Sequence, residues 1–170
     1  MEILKYILPA LVVLLTAYLL IDKLLRSEEK RRNYELSKMA SSTVIPIRLR
    51  AYERLILVLE RTTPSNLIVS VAKPGMSNLD LQTQLLATIR QEFAHNFSQQ
   101  IYVGDDAWNA MRSAQESLLR LVNSTAADCK PNDSASILAE LIIQVYNTSE
   151  NTPSEIAMSK LKMEVRKHFQ

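Results

Sequence analysis

Glycine is almost missing from this chain: its 170 residues hold only two, Gly75 and Gly104. Loops that wrap phosphates need several glycines, so that backbone N–H groups can close on the ligand. With two, neither a P-loop, nor a dinucleotide fingerprint, nor a nucleophile elbow can be written. Cysteine and histidine are equally scarce. One Cys and two His exclude zinc sites of the usual kinds, which take four ligands drawn mainly from these residues. The lone Cys129 demands no disulfide and fits a reducing compartment. An excess of charge is missing as well. Beyond Arg32 the chain carries fourteen Lys and Arg against fourteen Asp and Glu, so the net +2 of the whole chain arises before that point. A nucleic-acid-binding domain shows a basic stripe. A balanced domain points away from that class, and no nucleic-acid partner is expected. No metal, no cofactor and no catalytic residue is expected either.

What the chain does have begins at its N-terminus. From Tyr6 to Ile21 sixteen residues pass without a charge, nearly all aliphatic, and Lys23, Arg26, Lys30, Arg31 and Arg32 follow at once. A helix needs about 20 apolar residues to cross a bilayer core. Extending the run from Ile3 to Leu25 supplies that length, because Lys5, Asp22 and Lys23 can snorkel to the headgroups. No small-residue cleavage site follows, so the pattern predicts an uncleaved anchor rather than a signal peptide. The expected organisation is a transmembrane anchor over 1–25, a charged juxtamembrane stalk helix over 26–42 and a helical soluble domain over 43–170. Lys and Arg concentrate after the span, which predicts a single pass with the N-terminus outside and the domain in the cytoplasm. Lys23, Arg26, Lys30, Arg31 and Arg32 are the expected membrane-interface residues, each worth about 1 kcal/mol against anionic headgroups. Glu28 and Arg32 are spaced for an i,i+4 pair on the stalk. Homo-oligomerisation through the anchor stays open, though a span without glycine closes the Gly-x-x-x-Gly route.

Ala40-Ser41-Ser42-Thr43 reads as a break, and Pro46 as the start of a new helix over 47–61. In it Ile45, Leu49, Tyr52, Ile56 and Leu59 keep the spacing of one face. Thr63 and Pro64 open a short helix, which Lys73-Pro74-Gly75 ends. Ser77 and Asp80 cap a long helix to about Gln100 whose stripe is Leu85, Ile89, Phe93, Phe97 and Ile101. Trp108, Met111, Leu118, Leu121 and Val122 mark the next helix, and 123–132 reads as a loop. Ile137, Leu138, Leu141, Ile142 and Val145 line a shorter helix. Thr152-Pro153-Ser154-Glu155 is a capping box that opens the last one. No segment alternates with period two, and no internal repeat stands out. The expected fold is all-α: an N-terminal transmembrane helix continuing into a stalk, then a small antiparallel bundle of about five helices.

Chemistry is thin on this scaffold. Glu92 and His95 form a Glu-x-x-His pair, but a di-iron bundle needs a second such pair, and Val165 stands where His168 would need its acid. Glu92, His95, Asn96, Gln99 and Gln100 form a dense polar set, and helix 47–61 offers Arg48, Glu53 and Arg54. Composition and spacing admit a polar network across these two helices or a partner interface among Arg48, Glu53, Arg54, Glu92, His95 and Gln99; ordinary surface exposure is the plain alternative. Trp108, the only tryptophan, is expected in the core or at that interface. Met158 and Met163 are expected to pack.

Two stretches, IPIRLRAYERLIL from Ile45 to Leu57 and EFAHNFSQQIYV from Glu92 to Val103, resemble an uncharacterised family of short, N-terminally membrane-anchored helical proteins from Bacteroidota. The resemblance covers most of the chain, from the anchor through Trp108 and more weakly beyond Pro131. It implies a bacterial inner-membrane setting and the same architecture, and no activity. The expected function is a single-pass membrane-anchored adaptor or scaffold, not an enzyme, that binds or regulates a protein partner at the cytoplasmic face. The alternative is a membrane-tethered enzyme or small-ligand sensor with a pocket between the helices.

Overall fold

A computed structural model describes the backbone of residues 2–169, and the side chains of that range except 2–10, 12, 13, 37, 40, 41, 168 and 169. Its regular structure is helical throughout: α1 (Glu2–Arg61), α2 (Pro64–Val71), α3 (Asn78–His95), a 3-10 helix (Phe97–Tyr102), α4 (Asp105–Ala127), α5 (Ala135–Asn147) and α6 (Pro153–Phe169). The expected all-α class holds. The chain divides into two units, Met1–Pro46 and Ile47–Gln170, with α1 contributing to both.

Among its described residues the first unit is helix alone. The break expected at Ala40–Thr43 does not occur, nor does a fresh start at Pro46. The hydroxyls of Ser42 and Thr43 donate back to the Met39 carbonyl, at 2.8 and 3.3 Å, so they serve the helix instead of competing with it. Pro46 lacks an N–H and costs an interior helix about 3 kcal/mol, and the boundary between the two units falls there. Asp22 pairs with Arg26 at 2.9 Å and Arg31 with Glu35 at 3.1 Å. Both pairs are exposed and worth under about 1 kcal/mol each. Among the described residues no helix is long and apolar enough to cross a membrane. The span expected over 3–25 falls in good part on residues whose side chains lie outside the described set.

The second unit closes around one core. Tyr52, Leu55 and Leu59 of α1 are buried with Leu67 of α2, Leu81, Leu85, Ile89 and Phe93 of α3, Met111 and Leu118 of α4, Leu138 and Ile142 of α5 and Leu161 of α6. Each such side chain contributes about 1.5–3 kcal/mol of burial. Helix α4 packs on α3, α5 and α6, and α3 on α2 and α5.

The caps that start α3 and α6 are as the sequence reads. Ser77 and Asp80 form a reciprocal capping box, and the Thr152 N–H donates to Glu155 Oε2 at 2.8 Å while the Glu155 N–H donates to Thr152 Oγ1 at 3.3 Å. Thr63 differs. It precedes Pro64, but its hydroxyl donates back to the Glu60 carbonyl of α1 at 2.8 Å and caps no N–H of α2. Helix α3 stops at His95 rather than near Gln100. The tighter 3-10 turn that follows rotates Phe97 and Ile101 off the core stripe, and they stand 57% and 73% exposed. Residues 123–127, expected as loop, extend α4, and Thr125 Oγ1 donates to the Leu121 carbonyl at 2.8 Å. Met163 is exposed rather than packed.

The two inter-helix loops α2–α3 and α4–α5 pair with each other. Ser77 and Ser134 form an antiparallel bridge. Around it the Asn78 N–H donates to the Asp133 carbonyl at 2.9 Å and the Ala135 N–H to the Met76 carbonyl at 3.1 Å, a reciprocal exchange as about a local two-fold axis. The sequence carries this as a short repeat, Lys73-Pro-Gly-Met-Ser77 and Lys130-Pro-Asn-Asp-Ser134. Four residues after each Ser stands a fully buried leucine, Leu81 or Leu138. Buried Asn78 fastens the pair, donating to the Lys130 carbonyl at 2.9 Å and accepting from the Leu138 N–H at 3.3 Å.

Candidate functional site

Glycine scarcity gains a meaning at Gly104, which precedes α4. Its N–H donates to Glu164 Oε1 of α6 at 2.6 Å. A Cβ there would stand 2.9 Å from that same oxygen, so a larger residue would make the carboxylate shift. The carboxylate thereby lies against the positive end of a 23-residue helix. Glu164 also accepts from the Tyr52 hydroxyl. Arg48 completes the assembly: Nε donates to the Tyr102 carbonyl at 3.0 Å, Nη2 donates to Tyr52 Oη at 3.3 Å, and Nη2 stands 4.0 Å from Glu164 Oε1. At that separation the guanidinium acts on the carboxylate as a charge and not as a hydrogen-bond donor. Burial raises the Tyr52 phenol above its usual range, the Glu164 carboxylate adds to the rise, and Arg48 opposes it. The assembly joins α1, the end of the 3-10 helix, the start of α4 and α6. Beside it a cavity of about 550 Å³ opens between Asp105 and Asp106 of α4 and Lys160, Met163 and Lys167 of α6.

The second polar constellation lies where α1 meets the end of α3. Glu92 pairs with Arg61 at 3.8 Å, with Arg61 66% and Glu92 26% exposed. Around the pair runs a groove of about 340 Å³ between Arg54, Leu57 and Arg61 of α1 and Glu92 and His95 of α3 with Asn96 just after it. Asn96 is tied down by a 2.9 Å bond from its side-chain amide to the Glu92 carbonyl.

The expected interface residues are thus split. Arg54, Glu92 and His95 come together at the groove, but the partner of Glu92 is Arg61, which is not among the residues expected there. Arg48 belongs to the Glu164 assembly instead, because its phase on α1 places it beside core residue Tyr52 one turn on. Glu53 is exposed. Gln99 sits half-buried in the 3-10 helix, with its amide 3.4 Å from Ser98 Oγ. Trp108 is half-buried against the core and meets exposed Phe97 edge to face, with ring centroids 5.7 Å apart. Lys23, Arg26, Lys30, Arg31 and Arg32 are exposed along α1, Arg26 and Arg31 within the ion pairs above. Tyr52, Tyr102, Gly104 and Glu164 are site residues that sequence reasoning does not single out. One signal for them exists: Gly104 is one of only two glycines in the chain. Among the described residues no group of three or more His, Cys, Asp or Glu could hold a metal ion. His168 lies outside the described side chains.

A model for a family of unknown function (DUF7935) matches residues 1–168. The chain belongs to this family. DUF7935 therefore covers both units, including the Glu164 assembly and the groove at Glu92. No curated protein and no solved structure matches the chain.

Proposed function

We propose that this DUF7935 protein is a single-pass, membrane-anchored helical adaptor that binds or regulates a protein partner at the cytoplasmic face of a bacterial inner membrane. The observation that carries it is the division of labour in the second unit. The polar residues of the first assembly are turned inward and engaged with one another. Arg54, Arg61, Glu92 and His95 are instead gathered on an open groove, where another molecule can reach them. The anchor rests on the uncharged run from Tyr6 to Ile21 and the cations behind it. The orientation rests on the bias of those cations. A bacterial setting rests on the resemblance alone.

The test is in-cell cross-linking of the tagged full-length chain, followed by detergent extraction and identification of what is attached. Retention of the chain in the membrane pellet at alkaline pH, with one dominant partner cross-linked to the second unit, is the expected result. Release at alkaline pH removes the anchor. Repeated recovery of the chain alone, with self-cross-links as the positive control, removes the adaptor.

A second function, a membrane-tethered enzyme or small-ligand sensor, is favoured by the cavity between α4 and α6. Lys160 and Lys167 there oppose Asp105 and Asp106, a mixed-charge lining suited to a small polar ligand. A reproducible metabolite-induced rise in melting temperature, abolished by Lys160→Met, would select it over the adaptor.

A further inference from the structure

The outer face of α1 within the second unit carries a row that the core does not use. Arg50, Arg54, Leu57 and Arg61 step by four, three and four, the spacing of one helix face. They lie opposite buried Tyr52, Leu55 and Leu59. All four are exposed, Leu57 to 47%. Glu92 takes up Arg61. Among the described residues neither Arg50 nor Arg54 forms an ion pair. Glu53 and Glu60 flank one edge of the row, and His95 with the following Asn96 lines the groove beside it.

We infer that this row receives an acidic amphipathic helix of a partner protein; the inference rests on the adaptor proposed above and names the chemistry of its partner. Charge complementarity is the first ground. The row offers two unneutralised guanidiniums, and every cation of residues 47–61 is arginine, whose planar fork matches carboxylates two bonds at a time. Shape is the second ground. Arg50 and Arg61 are eleven residues apart, about 16 Å along the helix. Cations strung along a line do not converge on a single phosphate, whereas acidic side chains one turn apart on a second helix meet them in register. Leu57 in mid-row supplies the apolar contact that a helix laid on a groove requires. Nucleic acid also presents a line of anions, but it favours a domain with a basic excess, and beyond Arg32 this chain has none.

The experiment titrates a labelled amphipathic Leu/Glu helix, its Leu/Lys twin and a short single-stranded DNA onto the full chain in neutral detergent. The Leu/Glu helix is expected to bind, more weakly as salt rises, and the other two to bind less. Arg50→Gln with Arg54→Gln should weaken it roughly fourfold, about twofold for each exposed pair lost. Arg112→Gln with Arg120→Gln on α4, equally exposed, should leave it unchanged. Equal loss in both double variants, tighter binding of the Leu/Lys helix, or preference for DNA would overturn the inference. A photoreactive residue at position 57 of the full-length chain in cells separates this from the adaptor itself. Attachment to an acidic helical segment supports both. A partner cross-linked elsewhere on the second unit but not from position 57 keeps the adaptor and removes the row. Leu/Glu binding in vitro without any partner in cells keeps an acid-binding row and removes the adaptor.

Discussion

Among the described residues two ion pairs join helices within the second unit, and they are built differently. Arg48 and Glu164 are 28% and 16% exposed, and the polar groups around them are engaged in turn. Tyr52 and Gly104 donate to the carboxylate, and Tyr102 accepts from the guanidinium. Arg61 and Glu92 stand 3.8 Å apart with the arginine in solvent. Desolvation makes a pair costly to build and costlier still to break, since removing one member leaves the rest buried without partners. A pair in water loses little when broken, because water replaces the partner. The first assembly therefore fixes the packing of α6 on α1 and α4. The second leaves its arginine largely in solvent.

Substitutions sharpen that contrast in a graded order. Glu164→Ala should cost about 2–3 kcal/mol in chemical unfolding, because it strands the Tyr52 hydroxyl and the Gly104 N–H and removes the charge facing Arg48. Gly104→Ala should cost about 1 kcal/mol, since its Cβ would displace the end of the Glu164 side chain from its hydrogen bonds. Tyr52→Phe should cost about 1 kcal/mol at neutral pH. It should also change the alkaline limb of the stability profile. The folded-state phenol is raised above its unfolded value near 10, so its contribution is complete below pH 10 and is lost as pH climbs through the raised value. Unfolding midpoints measured on both sides of pH 10 should fall more steeply in the wild type than in Tyr52→Phe. Glu92→Gln is the smallest change, under about 0.5 kcal/mol, and a loss comparable to that of Glu164→Ala would erase the distinction between the two pairs.

Legibility in the sequence follows the range of the physics. Caps such as Ser77–Asp80 and Thr152–Glu155 are decided within four residues, and both are plain in the sequence. Period-3.6 stripes place the cores of α3 and α4 to within a turn. The break expected at Ala40–Thr43 fails because hydroxyls such as those of Ser42 and Thr43 can either stop a helix or bond back into it, and local sequence does not choose between them. Phe97 and Ile101 fit the α3 stripe by spacing alone, yet the change to 3-10 geometry after His95 carries them outward. At the groove, composition draws attention to Arg54, Glu92 and His95, but Arg61 cannot be paired with Glu92 until α1 and α3 have a relative phase. The Glu164 assembly is the least legible part. Its five members come from three stretches of the chain, 48–52, 102–104 and 164, which only the packing of α1, α4 and α6 brings together. The paired loops are written in the sequence as Lys-Pro-x-x-Ser, twice. A repeat of five positions with two free is too short to stand out before the Ser77–Ser134 bridge shows that the copies meet.

The most direct test is equilibrium chemical unfolding of the full chain carrying Glu164→Gln beside the chain carrying Glu92→Gln, two substitutions of the same chemistry at the two pairs. The inward assembly predicts a loss of about 2 kcal/mol for Glu164→Gln and less than about 0.5 kcal/mol for Glu92→Gln. Equal losses, or a larger one at Glu92, would contradict it, and the groove at Glu92 would then be part of what holds the fold together rather than a surface left open for a partner.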